Sequence, residues 1–469
     1  MPKKYHISVQ KTEPRFHPIG KYATVEFRED CAGSCRQCVK KRCVYNIFKE
    51  NVLHMAAMEE PEYLYTCQSC FRCIQECTRG IFSRAINPEY RTLGDAYWRA
   101  ELIHRLWYQA HTGSIPVSGA GYRGPFAAPG FDAMWTDMSE IVRPTRDGIH
   151  GREYINTCVE LSRRVTPLTF NDDLTIASEL PTILEVPLPL LLRLPADLVQ
   201  NESIRLAAAA AAERLGTLMF VAADDVTPAL MPYADFLIPS FEAEKMALFE
   251  AVIRRSRAVE IAIRPGKETV LTDIRRLNPD ITVLARLPLD AGAAERAVSL
   301  TRAGIDSITL FADDHGREIH ADHPRFLKDL IREVHLKLVD DCLRQQVNLV
   351  FSGGISMAEH VVKAMLCGAD AVEADVVLML ALECRLCGRC REELPCPVAL
   401  EPGVDRDWGS QRIVNLIGAW HSQIIEMMGA MGIREARRLR GEIGRSMWFE
   451  DLEKENFGPI FGERVVPGP

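Results

Sequence analysis

Eight short apolar runs, many of them rich in β-branched residues, recur at 182–186, 217–222, 235–238, 258–263, 281–286, 307–311, 347–351 and 370–377. Segments of helical period lie between several of them, at 203–215, 293–303 and 358–366. A run that is apolar on both faces suits a parallel strand covered by helices. Parallel neighbours need a crossover connection, and a helix supplies it. Eight such alternations over roughly 200 residues predict an α/β chain built on a (β/α)8 TIM-like barrel. A doubly wound open sheet would obey the same alternation. The first run is the least regular, because Pro187 and Pro189 crowd its end.

The second constraint is cysteine. Twelve of the fifteen cysteines fall into three sets: Cys31, Cys35, Cys38 and Cys43; Cys67, Cys70, Cys73 and Cys77; and Cys384, Cys387, Cys390 and Cys396. The second set has the spacing of a ferredoxin 4Fe–4S site, with Thr78 where Pro usually follows. The first is looser by one residue at each end. Together they predict a two-cluster ferredoxin-like module, with Cys43 and Cys77 exchanged between clusters. The third set, followed by Pro397, predicts another 4Fe–4S cluster, or a 3Fe–4S cluster if Cys387 is a bystander. Zinc is the bland alternative, but it normally takes two Cys-x2-Cys pairs far apart. Cys158, Cys342 and Cys367 read as small packing residues.

Length and charge bound the rest. A chain of 469 residues buries a core without disulfide staples. Its net charge of −8 argues against a nucleic-acid partner. The polar start of the sequence is no signal peptide, and no run of about 18 apolar residues offers a membrane span. Clustered thiols fit a reducing compartment, so the expected location is cytoplasmic, with attachment to a membrane complex through partner subunits allowed. The expected divisions are a ferredoxin-like domain at 1–85, a connector at 86–157, the barrel at 158–383, and an iron–sulfur and helical segment at 384–469. Within the connector a helix is expected at 95–109, followed by a Gly/Pro-rich stretch at 119–131. The polar run at 143–153 reads as a salt-bridged turn. The arginine-rich stretch at 433–445 reads as a solvated surface helix, since Glu435, Glu442, Glu450 and Glu453 interrupt its charge.

Barrels often hold a phosphate on the loops after strands seven and eight. Ser352, Gly353 and Gly354 end the seventh run, and Gly368 precedes the eighth; these four are the candidate cofactor contacts. Asp313, Asp314 and His315 are either an acid–base group or solvated loop residues, with the loop favoured. No catalytic residue is assigned.

The segment FSGGISMAEHVVKAMLCGADAV, the third cysteine set ending Cys396-Pro397-Val398, and GAMGIREARRLRGE together resemble the FMN domain of the glutamate synthase family. The N-terminal cysteines resemble the archaeal-type large subunit. The resemblance spans roughly 180–445 and is specific in its last hundred residues. It implies a (β/α)8 barrel, FMN on its C-terminal face and an iron–sulfur cluster beside the flavin.

Departures from the family pattern bear on function. Glu373-Ala374-Asp375-Val376 stands where the family has a Gly-x-Gly-Thr phosphate contact, so two carboxylates would face or flank the phosphate. Residues 313–318 replace a Gly-rich substrate segment, and Arg286 replaces a substrate lysine. FMN is therefore implied by the resemblance and opposed by these residues. The expected function is an iron–sulfur electron-transfer subunit of a multi-subunit oxidoreductase, partnered by other redox subunits and inactive in glutamate formation. The alternative is an FMN-dependent oxidoreductase of the glutamate synthase type.

Overall fold

Strand β1 (Tyr22–Glu26) pairs antiparallel with β2 (Phe82–Ile86), and the short helix α1 (Arg72–Glu76) precedes β2. The computed structural model describes residues 5–16, 19, 22–26, 71–86, 88–115, 130–136, 154–162, 168–178, 183–198, 201–263, 266 and 269–462. Cys31, Cys35, Cys38, Cys43, Cys67 and Cys70, the run at 143–153 and most of the 119–131 stretch lie outside them. Cys73 and Cys77 lie on and just after α1 and pack against Ile81 and Phe82.

The expected connector helix is α2 (Ala100–Thr112), which begins five residues later than its sequence suggests. Asp95 explains the delay. Its Oδ1 accepts from the N–H groups of Tyr97 and Trp98, closing a turn that competes with helix. Strand β3 (Met134–Thr136) follows, then β4 (Val159–Glu160), which pairs antiparallel with β5 (Glu185–Val186).

The barrel begins after β5, which corrects the position of its first strand. Proline has no N–H to give to a ladder, so a strand can start at a proline but not run through two. Beyond Pro187 and Pro189 comes β6 (Leu190–Arg193), with the Pro189 carbonyl still accepting from Val372 at 3.1 Å. Helix α3 (Glu202–Leu215) crosses to β7 (Met219–Ala222), and β8 (Leu237–Glu242) follows through 3-10 turns and no full helix. Next come α4 (Glu250–Ile253), β9 (Ala258–Ala262), α5 (Val270–Leu277), β10 (Thr282–Pro288), α6 (Ala293–Arg302) and β11 (Ser307–Phe311). Helix α7 (Leu327–Asp340), β12 (Asn348–Ser352), α8 (Ala358–Cys367) and β13 (Ala371–Ala374) complete the alternation. Strands β6 to β13 are all parallel, and β13 pairs back onto β6, closing the eight-stranded barrel. The apolar run after β13 is helix α9 (Val376–Ala381), whose every residue is buried.

The β4–β5 pair lies across the lower end of this barrel. Ser307 Oγ donates to the Leu161 carbonyl, and Asn348 Nδ2 donates to the Ser162 carbonyl at 2.7 Å. Both donors sit at the starts of inner strands, so the hairpin covers the opening opposite the strands' C-terminal ends.

Helix α10 (Arg406–Ala430) is capped by Asp405 and packs on α2 and α3. The arginine-rich stretch after it is no surface helix. Gly432 and Gly441 take φ of 72° and 71°; one short 3-10 turn lies between them and a second follows Gly441. Ala436 and Leu439 are fully buried, and Arg440 reaches Asp370 at 3.1 Å. Specific anchoring to the barrel has overridden helical periodicity. Strand β14 (Ser446–Trp448) then pairs with β3, and α11 (Phe449–Asn456) follows. Among the described residues, no helix is long and apolar enough to cross a membrane. Cys367 is buried beside Met134, whereas Cys342 is exposed and so does not serve as packing.

Candidate functional site

Inner positions on three strands bring together one cation and two anions at the upper end of the barrel. Arg193, the last residue of β6, donates from Nε to Glu373 Oε2 at 2.7 Å and from Nη2 to Glu373 Oε1 at 3.0 Å. The same Nη2 reaches Glu260 Oε1 at 2.7 Å, and Ser240 Oγ donates to Glu260 Oε2 at 2.7 Å. The guanidinium lies over the Phe220 ring, 3.9 Å from its centre. Buried charges need such partners, because desolvation costs several kcal/mol per ion. Burial opposes the charge of Glu260, but Arg193 and Arg286 outweigh it and hold the carboxyl below its usual range. Burial likewise opposes the charge of Arg193, and the two carboxylates override it.

A cavity of about 650 Å³ opens above this cluster, lined by Arg193, Glu260, Arg286, Asp314, Ser352 and Asp375 among others. Arg286 lies over Phe311, 4.5 Å from the ring centre, and its Nη1 is 3.7 Å from Glu260. That Nη1 is buried with no hydrogen-bond partner among the described residues. A buried donor left unpaired is costly, so it is a ready contact for an acceptor atom in the cavity.

The loops after β12 and β13 meet at Asp375. Its Oδ2 accepts from the Gly353 N–H at 3.2 Å, and its Oδ1 accepts from the Val376 N–H at 2.6 Å. Burial pushes its pKa up to about 7; Asp314 and Glu373 add to the rise, and the two N–H groups work against it. Gly353 and Gly354, at φ of 100° and 67°, are demanded by backbone packing. A Cβ on Gly353 would sit 2.5 Å from the Asp313 carbonyl, and one on Gly354 would sit 2.5 Å from the Gly316 nitrogen. The Gly354 carbonyl accepts from the Tyr97 hydroxyl. Ser352, Gly353 and Gly354 thus stand together at the mouth. Gly368 does not join them. It ends α8 at the opposite end of the barrel, where a Cβ would strike the His335 ring at 2.4 Å and Arg344 bonds its carbonyl.

The third cysteine set follows α9 directly and borders the mouth. Cys384 is buried, and Cys387, Cys390 and Cys396 are half-buried; all four are free thiols. Burial pushes the Cys384 thiol up to about 12, and its neighbours Cys396, Cys387 and Cys390 add to the rise. Such mutual repulsion is what a bound metal relieves, since ligation takes thiolates. The Leu386 N–H already donates to Cys384 Sγ at 3.4 Å. Glu383, Leu386, Gly388, Glu393 and Ala399 all have positive φ, winding the segment tightly around the thiols. These four thiols are the donor type of an iron–sulfur cube, and no three of them lie as close together as a single metal ion needs. An N-terminal strap holds the segment: Arg15 donates its backbone N–H to Glu383 at 2.9 Å and its side chain to the Val398 carbonyl at 3.0 Å.

Arg391, next to Cys390, ties this segment to the barrel rim. It pairs with Asp197, after β6, and with Asp314, after β11, at 3.3 Å. A second cavity of about 230 Å³ lies here, lined by Asp95, Trp98, Asp314, His315, Leu386 and Arg391 among others. The three residues at 313–315 do not act as a triad. Asp313 caps its own turn through the N–H groups of His315 and Arg317, Asp314 faces Arg391, and His315 pairs with Asp95 at 2.9 Å. The hydrogen bond to Asp95 raises the His315 pKa.

Glu373 and Asp375 separate in role: the first serves Arg193 inside the barrel, the second faces the glycine loop. Arg193 and Glu260 are additions to the sequence reading. Their signal was present, because each is a lone charge in an otherwise apolar strand, and a buried charge implies a partner.

Residues 256–434 match the family model described as the conserved region in glutamate synthase. An archaeal-type glutamate synthase (NADPH) of Dehalococcoides mccartyi is 26% identical over 436 residues, covering 80% of this chain and 85% of that protein. An archaeal glutamate synthase (NADPH) of Archaeoglobus fulgidus is 25% identical, covering 92% and 96%. One from Methanocaldococcus jannaschii is 25% identical, covering 83% and 94%. The match to the family model falls on the half of the barrel that carries Glu260, Arg286, Gly353, Asp375 and the third cysteine set. Over these residues, and along most of its length, the chain is similar to the glutamate synthase family.

Proposed function

We propose that this chain is an oxidoreductase of the glutamate synthase type. In this reading Cys384, Cys387, Cys390 and Cys396 would hold an iron–sulfur cluster beside a flavin at the barrel mouth, and clusters held by the N-terminal cysteines would carry single electrons to or from partner redox subunits. The observation that carries it is the Arg391 bridge, which joins the thiol segment to two aspartates lining the cavity. Relatives named as NADPH glutamate synthases, matched along 80% or more of this chain, support it.

The two sides of the mouth suit different parts of a flavin. Around β10, the buried Arg286 Nη1 and the wide cavity suit a planar ring with acceptor atoms. Around β12 and β13, the amides that a phosphate would use are taken by Asp375. A bound flavin would supply the conversion between two-electron and one-electron chemistry. The chain's own part is to place Arg286 against the ring, to fix Arg193 by Glu260 and Glu373, and to hold the thiol segment over the rim.

A second reading, the iron–sulfur relay without amine-forming chemistry, is favoured by Asp375 in the phosphate position. Anaerobic purification followed by iron, sulfide and flavin analysis, with an assay of glutamate formation from 2-oxoglutarate, separates the two. About twelve irons per chain, four per cube, with bound flavin and glutamate formation supports the proposal. The same iron without flavin or glutamate supports the relay. Zinc in place of iron overturns both.

A further inference from the structure

The amide groups of Gly353 and Val376 converge on one point at the barrel mouth. In barrels the corresponding loops, after strands seven and eight, commonly receive a ligand phosphate. Here both N–H groups end on the two oxygens of one side chain of the chain itself, at 3.2 and 2.6 Å. That side chain is buried, and it also lines the 650 Å³ cavity.

We propose that Asp375 is a built-in anion filling the phosphate position of the barrel, so that the mouth selects a flavin with an uncharged tail over a phosphorylated one. The inference rests on the flavin reading above and specifies the ligand. Three charges of one sign surround the place a phosphate would enter: Asp375 itself, Glu373 two residues before it on β13, and Asp314 from the loop after β11. The Glu373 charge is already neutralised by Arg193, and that of Asp314 is met by Arg391. Arg193 and Arg391 are thus engaged elsewhere, and the two amides that would compensate a dianion are spent on Asp375. The space beside the Gly353 Cα is closed by the carbonyls of Ala312 and Asp313, so the loop leaves no second recess for an anion on that side. A phosphate must either displace the carboxylate or approach it at close range. Like charges a few ångströms apart in a partly buried site repel strongly. A hydroxyl-ended tail meets no such penalty and can donate to the carboxylate.

The test uses the full chain, purified anaerobically and stripped of flavin, at pH 8, where Asp375 is mostly ionised. Riboflavin, FMN and inorganic phosphate are titrated into the native chain, Asp375→Asn and Asp375→Gly. Flavin fluorescence reads the first two, and the amide resonances of Gly353 and Val376 read phosphate. The native chain is expected to bind riboflavin at least tenfold more tightly than FMN and to show no phosphate shift at either amide. Asp375→Gly is expected to move the FMN-to-riboflavin ratio at least tenfold toward FMN and to make residue 353 respond to phosphate. Asp375→Asn should fall between. Preference for FMN in the native chain, or a ratio unmoved in Asp375→Gly, overturns the inference. If no flavin binds to any form, the flavin reading fails, and the phosphate arm still decides the role of Asp375. A native chain whose amides shift with phosphate, or a glycine variant whose amide stays still, refutes it.

Discussion

Glu373 holds Arg193 in a two-point grip, with Nε and Nη2 donating to its two oxygens at 2.7 and 3.0 Å inside the barrel. Glu373 has no exposed surface, so its charge is sustained by that guanidinium alone among the hydrogen bonds its side chain makes in the described residues. Replacing it by Ala leaves Arg193 with Glu260 and an empty space. Breaking a buried pair from one side costs about 3–5 kcal/mol. Urea unfolding of Glu373→Ala should show a loss of that order, and Glu373→Gln a smaller one. A change below about 1 kcal/mol in both would show the pair to be idle.

Asp375 gives a stability profile of unusual sign. Its native pKa of about 7 lies above that of the unfolded chain, near ~3.9. The native state therefore holds this proton more tightly. The contribution is greatest at low pH, declines as pH rises from about 4 to 7, and is level above that. Three pKa units correspond to on the order of 4 kcal/mol. Asp375→Asn should flatten this part of the profile, gaining stability relative to the native chain as pH rises. Guanidinium unfolding at steps between pH 4 and 8 checks it, and parallel curves for the two proteins would refute it.

Gly353 should tolerate no side chain. Its φ of 100° and the 2.5 Å approach of the Asp313 carbonyl mean that Ala brings both backbone strain and a clash. A loss of about 1–3 kcal/mol from strain alone is expected. Gly462, at φ of 77° with open space around it, is the control: Ala there pays strain without collision. Comparing the two thermal midpoints separates the terms, and equal losses would mean that the contact is not limiting.

Arg391 should matter for rate and little for stability. Its pairs with Asp197 and Asp314 are half-exposed, and such pairs contribute about 0–1 kcal/mol. Arg391→Ala is expected to unfold at nearly the native temperature. Electron exchange between mouth and cluster should slow several-fold in stopped-flow reduction, because the thiol segment loses its tie to the rim. High salt should slow the native chain in the same direction, since screening weakens exposed pairs. An unaltered rate would show the bridge to be decorative.

The barrel was readable because seven of its strands announce themselves as apolar runs at regular intervals, and the period belongs to the chain itself. The first strand escaped because the run at 182–186 is mainly apolar, as Leu190–Arg193 is; only the proline rule tells the lower strand pair from a barrel strand. The arginine-rich stretch escaped for a different reason. Its conformation is set by Asp370, which lies more than sixty residues earlier and leaves no local trace. At the site, the glycines of the seventh loop were found, but their purpose was not. Whether a glycine makes room for a ligand or for the backbone of Asp313 depends on the neighbouring loop, which only the folded chain supplies. The carboxylate at Asp375 was visible as a conflict with phosphate; that it satisfies the same amides was not.

Leu161 and Ser162, bonded to Ser307 and Asn348, stopper the base of the barrel. Among the described residues that end is corked, and the hollow above Arg193 faces the other way, where Arg391 sits on the lip.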